Sequence, residues 1–383
     1  MLNKIFKLFI YILNTPVYWI SFFIPKNNNI WIFGSWEGLR YSDNSKFLFE
    51  YTENNLKSIR CIWLTKSKDV LLRLKKEGFE VYYSYSFKGY IYSAIAGRII
   101  VSSNLHDVNR FVVNKSIKIN LWHATNLKKI GFDADKTFSY KNQIPQFSIN
   151  YLKYLIFPFL KIDYDFVIAS SDESAKKMMS AFQLKRKNII ISGLPRTDIL
   201  KTKNENSFTT IAYFPTFRDN SNFNYFKDFN EKLFDNYFKK KNINFFYKTH
   251  FADNNNWDFE TKQIKRIKKD DIYEFLTFVD ILITDYSSVY FDFCLLNRPI
   301  IFSPFDQESY LSNDRELYYN YNDVTPGPKC HNWQEVISEI DLILNGKDKY
   351  ANKRQVLNQR FNRYQDFKNS KRLASQILSL NNN

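Results

Sequence analysis

The sequence predicts an α/β protein built from two Rossmann-like domains that face a cleft. Short β-branched runs alternate with helical stretches, the pattern of parallel βαβ units. That alternation stops at a polar patch, KTKNENS (201–207), and then starts again. A length of 383 residues is too great for one compact core and comfortable for two. Hydrophobic residues are 44% of the chain, enough to fill both.

The first half opens with NIWIFGSWEG (29–38), a strand ending in a glycine turn, followed by a helix through NSKFLFEYTENN. RCIWLT (60–65) is the next strand, and VLLRLKKEGFEVYYS supplies a helix and a strand. RIIVSS (98–103), IKINLWHAT (117–125), DFVIASS (165–171) and NIIISGLP (188–195) complete the group. The second half contains TTIAYFPTF (209–217), NFFYKTH (244–250), DILITD (280–285) and RPIIFSP (298–304). A helical tail follows from about residue 335 and frays at SLNNN. The expected units are a leading segment (1–25), a first domain (26–200), a second domain (201–345) and the tail (346–383).

The leading segment, IFKLFIYILNTPVYWISFFIP, is strongly apolar and carries Lys4 and Lys7 near its start. It lacks the small-residue cleavage site of a secretory signal. A spanning helix needs about 20 apolar residues, and here Asn14-Thr15-Pro16 interrupt the middle. Tyr11, Tyr18 and Trp19 favour interfaces. The expectation is a broken helix lying in the membrane surface, with a spanning helix and a buried core segment as alternatives. The body would hold it on an anionic cytoplasmic leaflet, because 55 Lys+Arg against 39 Asp+Glu give a net charge of +16.

That charge favours anions in general: phosphates, nucleotides, anionic lipid or nucleic acid. KRIKK (265–269) lacks interleaved aromatics, so it reads as a solvated helix face, not a nucleic-acid site. Cys61, Cys294 and Cys330 are scattered, which excludes a disulfide framework or a thiolate zinc site. Four histidines leave little material for a multi-histidine metal centre.

In open α/β sheets ligands bind beyond the carboxyl ends of the strands. Five segments place unusual groups there. His123 follows INLW, His250 follows FFYKT, and AYFPTFRD presents Pro215, Thr216 and Arg218. SGLPRTD presents Arg196, and ITDYSS presents Asp285 with Ser287 and Ser288. Ser287 or Ser288 is the expected N-cap of a helix through VYFDFCLL, whose free N–H groups and neighbouring hydroxyls suit phosphate. Asp292, four residues beyond Ser288, shares its helix face. A carboxylate there repels phosphate, so it suits a polyol or ribose hydroxyl, or orients a base. A plain serine cap with a surface aspartate is the simpler reading of the same residues. His106 and His331 fit no motif and are expected to be ordinary polar positions.

The segment DILITDYSSVYFDFCLLNRPIIFSPFD (280–306) resembles the signature of the CDP-glycerol glycerophosphotransferases, which prime and polymerise teichoic acids and related capsule polymers. LWHATNLKKIGFD (121–133), SGLPRTDIL (192–200), YFPTFRD (213–219) and RELYYNYNDVTPGP (315–328) agree in order. GSWEGLRYSDNSKFLFEY (34–51) is similar to the family's start. The resemblance implies a GT-B fold, a donor nucleotide held mainly by the second domain, and a monotopic face on the cytoplasmic side of the bacterial membrane.

It also implies the reaction. A hydroxyl of a lipid-linked glycan or polyol-phosphate polymer attacks the phosphate that bears glycerol in CDP-glycerol, and CMP leaves. CDP-ribitol is the competing donor; a GT-B sugar transferase and an inactive polymer-binding scaffold are the wider alternatives. Carried over by motif, His123 and His250 match the two histidines that serve the chemistry. Trp122, Ala124, Thr125, Asn126, Arg196, Pro215, Thr216, Ser287, Ser288 and Asp292 match donor-contacting positions, with Arg218, Lys248 and Thr249 beside them.

The family's HGTP reads HATN here, and Phe251 stands where a proline is usual. The expected roles are His123 as the base and His250 with the serines as the phosphate stabiliser, the reverse assignment staying open. Arg196 and Arg218 are expected to offset diphosphate charge in place of a metal. No cofactor is required on this reading, although Asp285 and Asp292 leave room for Mg²⁺.

Overall fold

The computed structural model describes residues 2–135, 149–161, 163–201, 207–219, 223–249, 259–268 and 271–380. His250 and Phe251 therefore lie outside the described residues. Seven strands form the first sheet: β1 (Asn27–Gly34), β2 (Arg60–Thr65), β3 (Val81–Tyr83), β4 (Ala96–Val101), β5 (Ile117–Asn120), β6 (Phe166–Ala169) and β7 (Ile189–Ile191). Their order is β3-β2-β1-β4-β5-β6-β7. Five more form the second: β8 (Thr209–Phe214), β9 (Ile243–Tyr247), β10 (Ile264–Arg266), β11 (Ile281–Thr284) and β12 (Ile300–Phe302), in the order β10-β9-β8-β11-β12. Every pairing in both is parallel. These are two Rossmann-like domains in the GT-B-like arrangement.

Both sheets are covered on both faces, as all-parallel sheets require. Along β1, Trp31 and Phe33 enter one core cluster while Ile30 and Ile32 enter another. Along β8, Ala212 and Phe214 part from Ile211 and Tyr213 in the same way. Period-two alternation thus buries apolar side chains in both directions, which is why these runs read as continuously hydrophobic.

Three features differ from the sequence expectations. The leading segment is one continuous helix, Leu2–Ser21, with Pro16 inside it. Proline removes a single backbone donor, and the residues before it rejoin the helix through their side chains: Asn14 Nδ2 donates to Ile10 O at 2.8 Å and Thr15 Oγ1 to Tyr11 O at 2.9 Å. KRIKK is no helix face; its first two residues close edge strand β10, paired in parallel with β9. Lysines on an edge strand discourage further pairing. The tail, finally, is no simple appendage. Helix Ala351–Phe361 adds Leu357 and Phe361 to the second core, whereas Asn369–Leu378 crosses back and inserts Leu373, Ala374 and Ile377 into the first.

The domains are stitched together along the cleft. Tyr318 N donates to Leu127 O at 2.9 Å and Lys129 N to Glu316 O at 2.8 Å. Lys46 Nζ, on helix Asp43–Asn55 of the first domain, reaches Glu274 of the second at 3.2 Å.

Candidate active site

Both sheets reverse their strand order at one point, between β1 and β4 and between β8 and β11. The carboxyl ends of these strands are the expected ligand crevices. Gly34 ends β1, and a Cβ there would lie 2.4 Å from Asp107 O, so only glycine lets the loop after β4 approach. Asp107 ties that loop down: its carboxylate accepts from Glu37 N at 2.8 Å, Ser102 N at 3.0 Å and Ser103 N at 2.8 Å.

His123 follows β5 and is half-buried between two indoles, with ring centroids 4.3 Å from Trp122 and 5.0 Å from Trp36. Its Nδ1 lies 3.2 Å from Ser102 O. A carbonyl only accepts, so Nδ1 carries the proton and Nε2 keeps its lone pair. Burial lowers the imidazole pKa, with Asp43 and the Ser102 bond opposing and Arg196 reinforcing. Near neutral pH the ring is therefore a neutral base.

The HATN loop explains itself. Trp122 takes a positive φ of 50°, fixed by its N–H donating to Asn120 Oδ1 at 2.8 Å. Its indole N–H donates to Asn126 Oδ1 at 2.9 Å, and Asn126 Nδ2 points at Met178 Sδ at 3.3 Å. Asn126 is turned inward as a brace for Trp122. Thr125 is buried with its hydroxyl 3.3 Å from that of Ser170, and Ala124 is half-buried.

Arg196, just past β7, spans the two domains. Its Nη2 and Nε donate to Asp292 Oδ2 at 2.7 and 3.0 Å, and its Nη1 donates to Asp43 Oδ1 at 2.8 Å and to His123 O. Tyr273 donates to the same Asp292 oxygen at 2.6 Å. Asp292 is fully buried and its Oδ1 has no partner among the described residues. Arg218 is as deeply enclosed. It grips Asp306 at 2.7 Å through both Nε and Nη2, meets Asp285 Oδ2 at 2.9 Å, and donates to Thr216 O. Buried guanidinium groups must be paired, so each arginine already has its own carboxylates.

On the second domain Asp285 Oδ1 accepts from Thr216 N at 2.8 Å and Tyr286 N at 2.6 Å. Asp285 therefore organises the loops around Pro215 and Thr216, while the Thr216 hydroxyl is left without a partner among the described residues. Ser288 sits at the N-cap of a five-residue helix, Val289–Phe293, without a side-chain capping bond. Neither it nor Ser287 engages its hydroxyl with another described residue, and both are half-buried. Lys248 is half-buried and Thr249 buried at the end of β9. Among the described residues no group of three His, Cys, Asp or Glu side chains is arranged to hold a metal ion.

Sequence reasoning missed Asp43, Tyr273 and Lys128. Lys128 lies in the LKK run after HATN, and its backbone pairs with Leu317 across the cleft. Its half-buried ammonium stands 5.7 Å from the Tyr310 ring centroid and has no hydrogen-bond or ion-pair partner among the described residues. Burial and Arg315, with Arg218, push its pKa down to about 7 against the pull of Asp285 and Asp219. The motif in which it lies was its only sequence signal.

Residues 17–379 match the family model described as CDP-Glycerol:Poly(glycerophosphate) glycerophosphotransferase. The teichoic acid poly(glycerol phosphate) polymerase of Bacillus spizizenii is 32% identical over 351 residues, covering 85% of this chain and 86% of that protein. The teichoic acid glycerol-phosphate primase of Bacillus subtilis is 30% identical, covering 76% of each. The solved structure of the wall teichoic acid polymerase TagF superposes with a TM-score of 0.75 at 22% identity, covering 98% of this chain and 95% of that one, and so shares the fold. The chain belongs to the CDP-glycerol:poly(glycerophosphate) glycerophosphotransferase family.

Proposed function

We propose that this enzyme transfers glycerol phosphate from CDP-glycerol to a hydroxyl of a membrane-anchored, teichoic-acid-like acceptor and releases CMP. The observation that carries the reading is His123. Its ring is neutral, its Nδ1 proton is committed to Ser102, and Nε2 is left to take a proton. Through its carbonyl and Arg196 it is tied to Asp292, one turn beyond the serine pair.

In the reaction the acceptor O–H gives its proton to Nε2 while its oxygen bonds to the phosphorus that bears glycerol. The bond from that phosphorus to the bridging oxygen breaks, and CMP departs. Transfer of this kind relies on positioning and charge stabilisation. We assign the serine hydroxyls, the Thr216 hydroxyl and the Lys128 ammonium to the diphosphate, and the unpartnered Asp292 Oδ1 to a ribose or glycerol hydroxyl. Lys128 replaces Arg196 and Arg218 as the charge offsetting the diphosphate, because it alone of the three has no ion-pair partner among the described residues. His250, one of the two histidines that the family resemblance assigns to the chemistry, keeps the phosphate-stabilising role expected of it. With Lys128 supplying charge, transfer proceeds without a metal, and a chelator leaves the rate unchanged.

The acceptor reaches the site from a membrane surface. Ile5, Phe6, Phe9, Ile12, Leu13 and Ile20 of helix Leu2–Ser21 are each more than half exposed, an apolar face that suits a lipid interface. No described helix is long and apolar enough to cross a membrane. The test is CMP release from CDP-glycerol by the wild type and by His123→Asn, with CDP-ribitol as the competing donor. Release from CDP-glycerol that the variant loses supports the reading. Release from CDP-ribitol alone, or release unaffected by the substitution, contradicts it.

A further inference from the structure

Between the apolar helix and the loop leading to His123 lies a cluster of cations that the transfer chemistry does not use. Arg110 is 7% exposed. Its guanidinium is caged by the rings of Tyr11, Phe111 and Phe159, at 5.4, 5.6 and 5.8 Å. It donates to Tyr11 Oη at 3.0 Å and to His106 Nε2. Lys66 Nζ donates to His106 O and stands 5.4 Å from the Tyr85 ring. Lys7 lies over the other partner of the cage, 5.9 Å from the Tyr11 ring. Among the described residues none of these three cations has a carboxylate within ion-pair distance.

The groups facing His106 are Arg110, Lys66 and Lys7, with Glu37 Oε2 at 3.8 Å from its Nδ1. Burial and the three cations hold its pKa down to about 3, so His106 is neutral and accepts from Arg110. A neutral histidine does not pair with Glu37, and the two carboxylates that face Lys66, Glu37 and the buried Asp107, both stay beyond ion-pair distance of the three cations. Positive charge gathered at the edge of an apolar surface is what a lipid phosphate recognises. The cluster also leads to the site: Glu37 is next to Trp36, whose ring lies 5.0 Å from that of His123.

We propose that Lys66, Arg110 and Lys7 form a subsite for the phosphate of a membrane-anchored acceptor, holding it at the lipid surface while its head group extends past Trp36 to His123. The proposal rests on the membrane reading above. It concerns acceptor recognition, separate from the donor site.

The full-length protein is tested by flotation with three vesicles: phosphatidylcholine alone, phosphatidylcholine with phosphatidylglycerol, and phosphatidylcholine with an isoprenoid diphosphate. The wild type binds the two anionic vesicles more tightly than the zwitterionic one. Lys66→Gln loses about fivefold of that gain and Lys66→Arg keeps it. The Michaelis constant for lipid acceptor rises in Lys66→Gln, whereas that for CDP-glycerol does not. A gain confined to the isoprenoid diphosphate assigns the subsite to the acceptor, and an equal gain with phosphatidylglycerol assigns it to lipid phosphate in general.

A gain that survives in both Lys66→Gln and Arg110→Gln overturns the proposal. If the wild type ignores all three vesicles, the membrane reading fails by itself. The subsite then stands on the His106 proton resonance, whose midpoint inorganic diphosphate must raise. A midpoint that does not move overturns it.

Discussion

Arg196 Nη2 lies 2.7 Å from Asp292 Oδ2, with both side chains almost wholly buried, and this pair joins the first sheet to the helix that follows the serines. Removing one partner of a buried ion pair leaves the other charged and unpaired, at a cost of about 3–5 kcal/mol. Arg196→Met strands the buried Asp292 and is therefore expected to lower stability by that amount in denaturant unfolding, whereas Asp292→Ala costs less because Arg196 keeps its pair with Asp43. The double variant Arg196→Met with Asp292→Leu costs less than the sum of the single changes, because only Asp43 is then left without its guanidinium.

With His123 as the proposed base, its titration is expected to set the acid limb of the pH profile. Burial depresses its pKa below the ordinary value of about 6.5, so the neutral base persists into mildly acid solution. The expected kcat/KM rises with pH through a midpoint below 6.5. His123→Asn removes the limb and costs about 10²–10⁴-fold in kcat, with an unchanged unfolding transition.

Lys128 sets a second limb, of opposite sign. Its pKa is pushed down to about 7, so the ammonium is lost as pH rises through that value. The Michaelis constant for CDP-glycerol should climb on the alkaline side with a midpoint near 7. Lys128→Arg, charged throughout, flattens this limb, and Lys128→Met raises the constant at every pH. Donor titrations across pH 6 to 9 (roughly one unit below the Lys128 midpoint and two above) check both outcomes.

The apolar helix is expected to be separable from the chemistry. Phe9→Ser, Ile12→Ser and Leu13→Ser together remove three exposed apolar side chains, each worth about 1.5–3 kcal/mol when buried. Vesicle binding should fall by at least about tenfold. Turnover on a short soluble acceptor should persist.

The strands and their facing domains were legible because period and punctuation are local. Trp31 and Ile32 announce opposite faces of one strand whatever lies around them. What was not legible is pairing over long separations. Nothing near Asp292 signals that Arg196, 96 positions away, occupies it, nor that Asp43, 153 positions from Arg196, completes the knot. The return of Asn369–Leu378 to the first core was hidden for the same reason: Asp198 receives the N–H groups of Asn369 and Ser370 at 2.8 and 2.7 Å. Lys128 was overlooked since its isolation from partners exists only in three dimensions. Pro16 misled because a proline signals a break, while the compensating bonds of Asn14 and Thr15 depend on helical geometry already in place.

The central claim is transfer of a glycerol phosphate unit with His123 as the base. Mass spectrometry of an acceptor incubated with CDP-glycerol and either the wild type or His123→Asn addresses it most directly. The account predicts acceptor masses raised by whole glycerol phosphate units, with matching CMP, for the wild type only. Unmodified acceptor with the wild type, or equal extension by the variant, contradicts it.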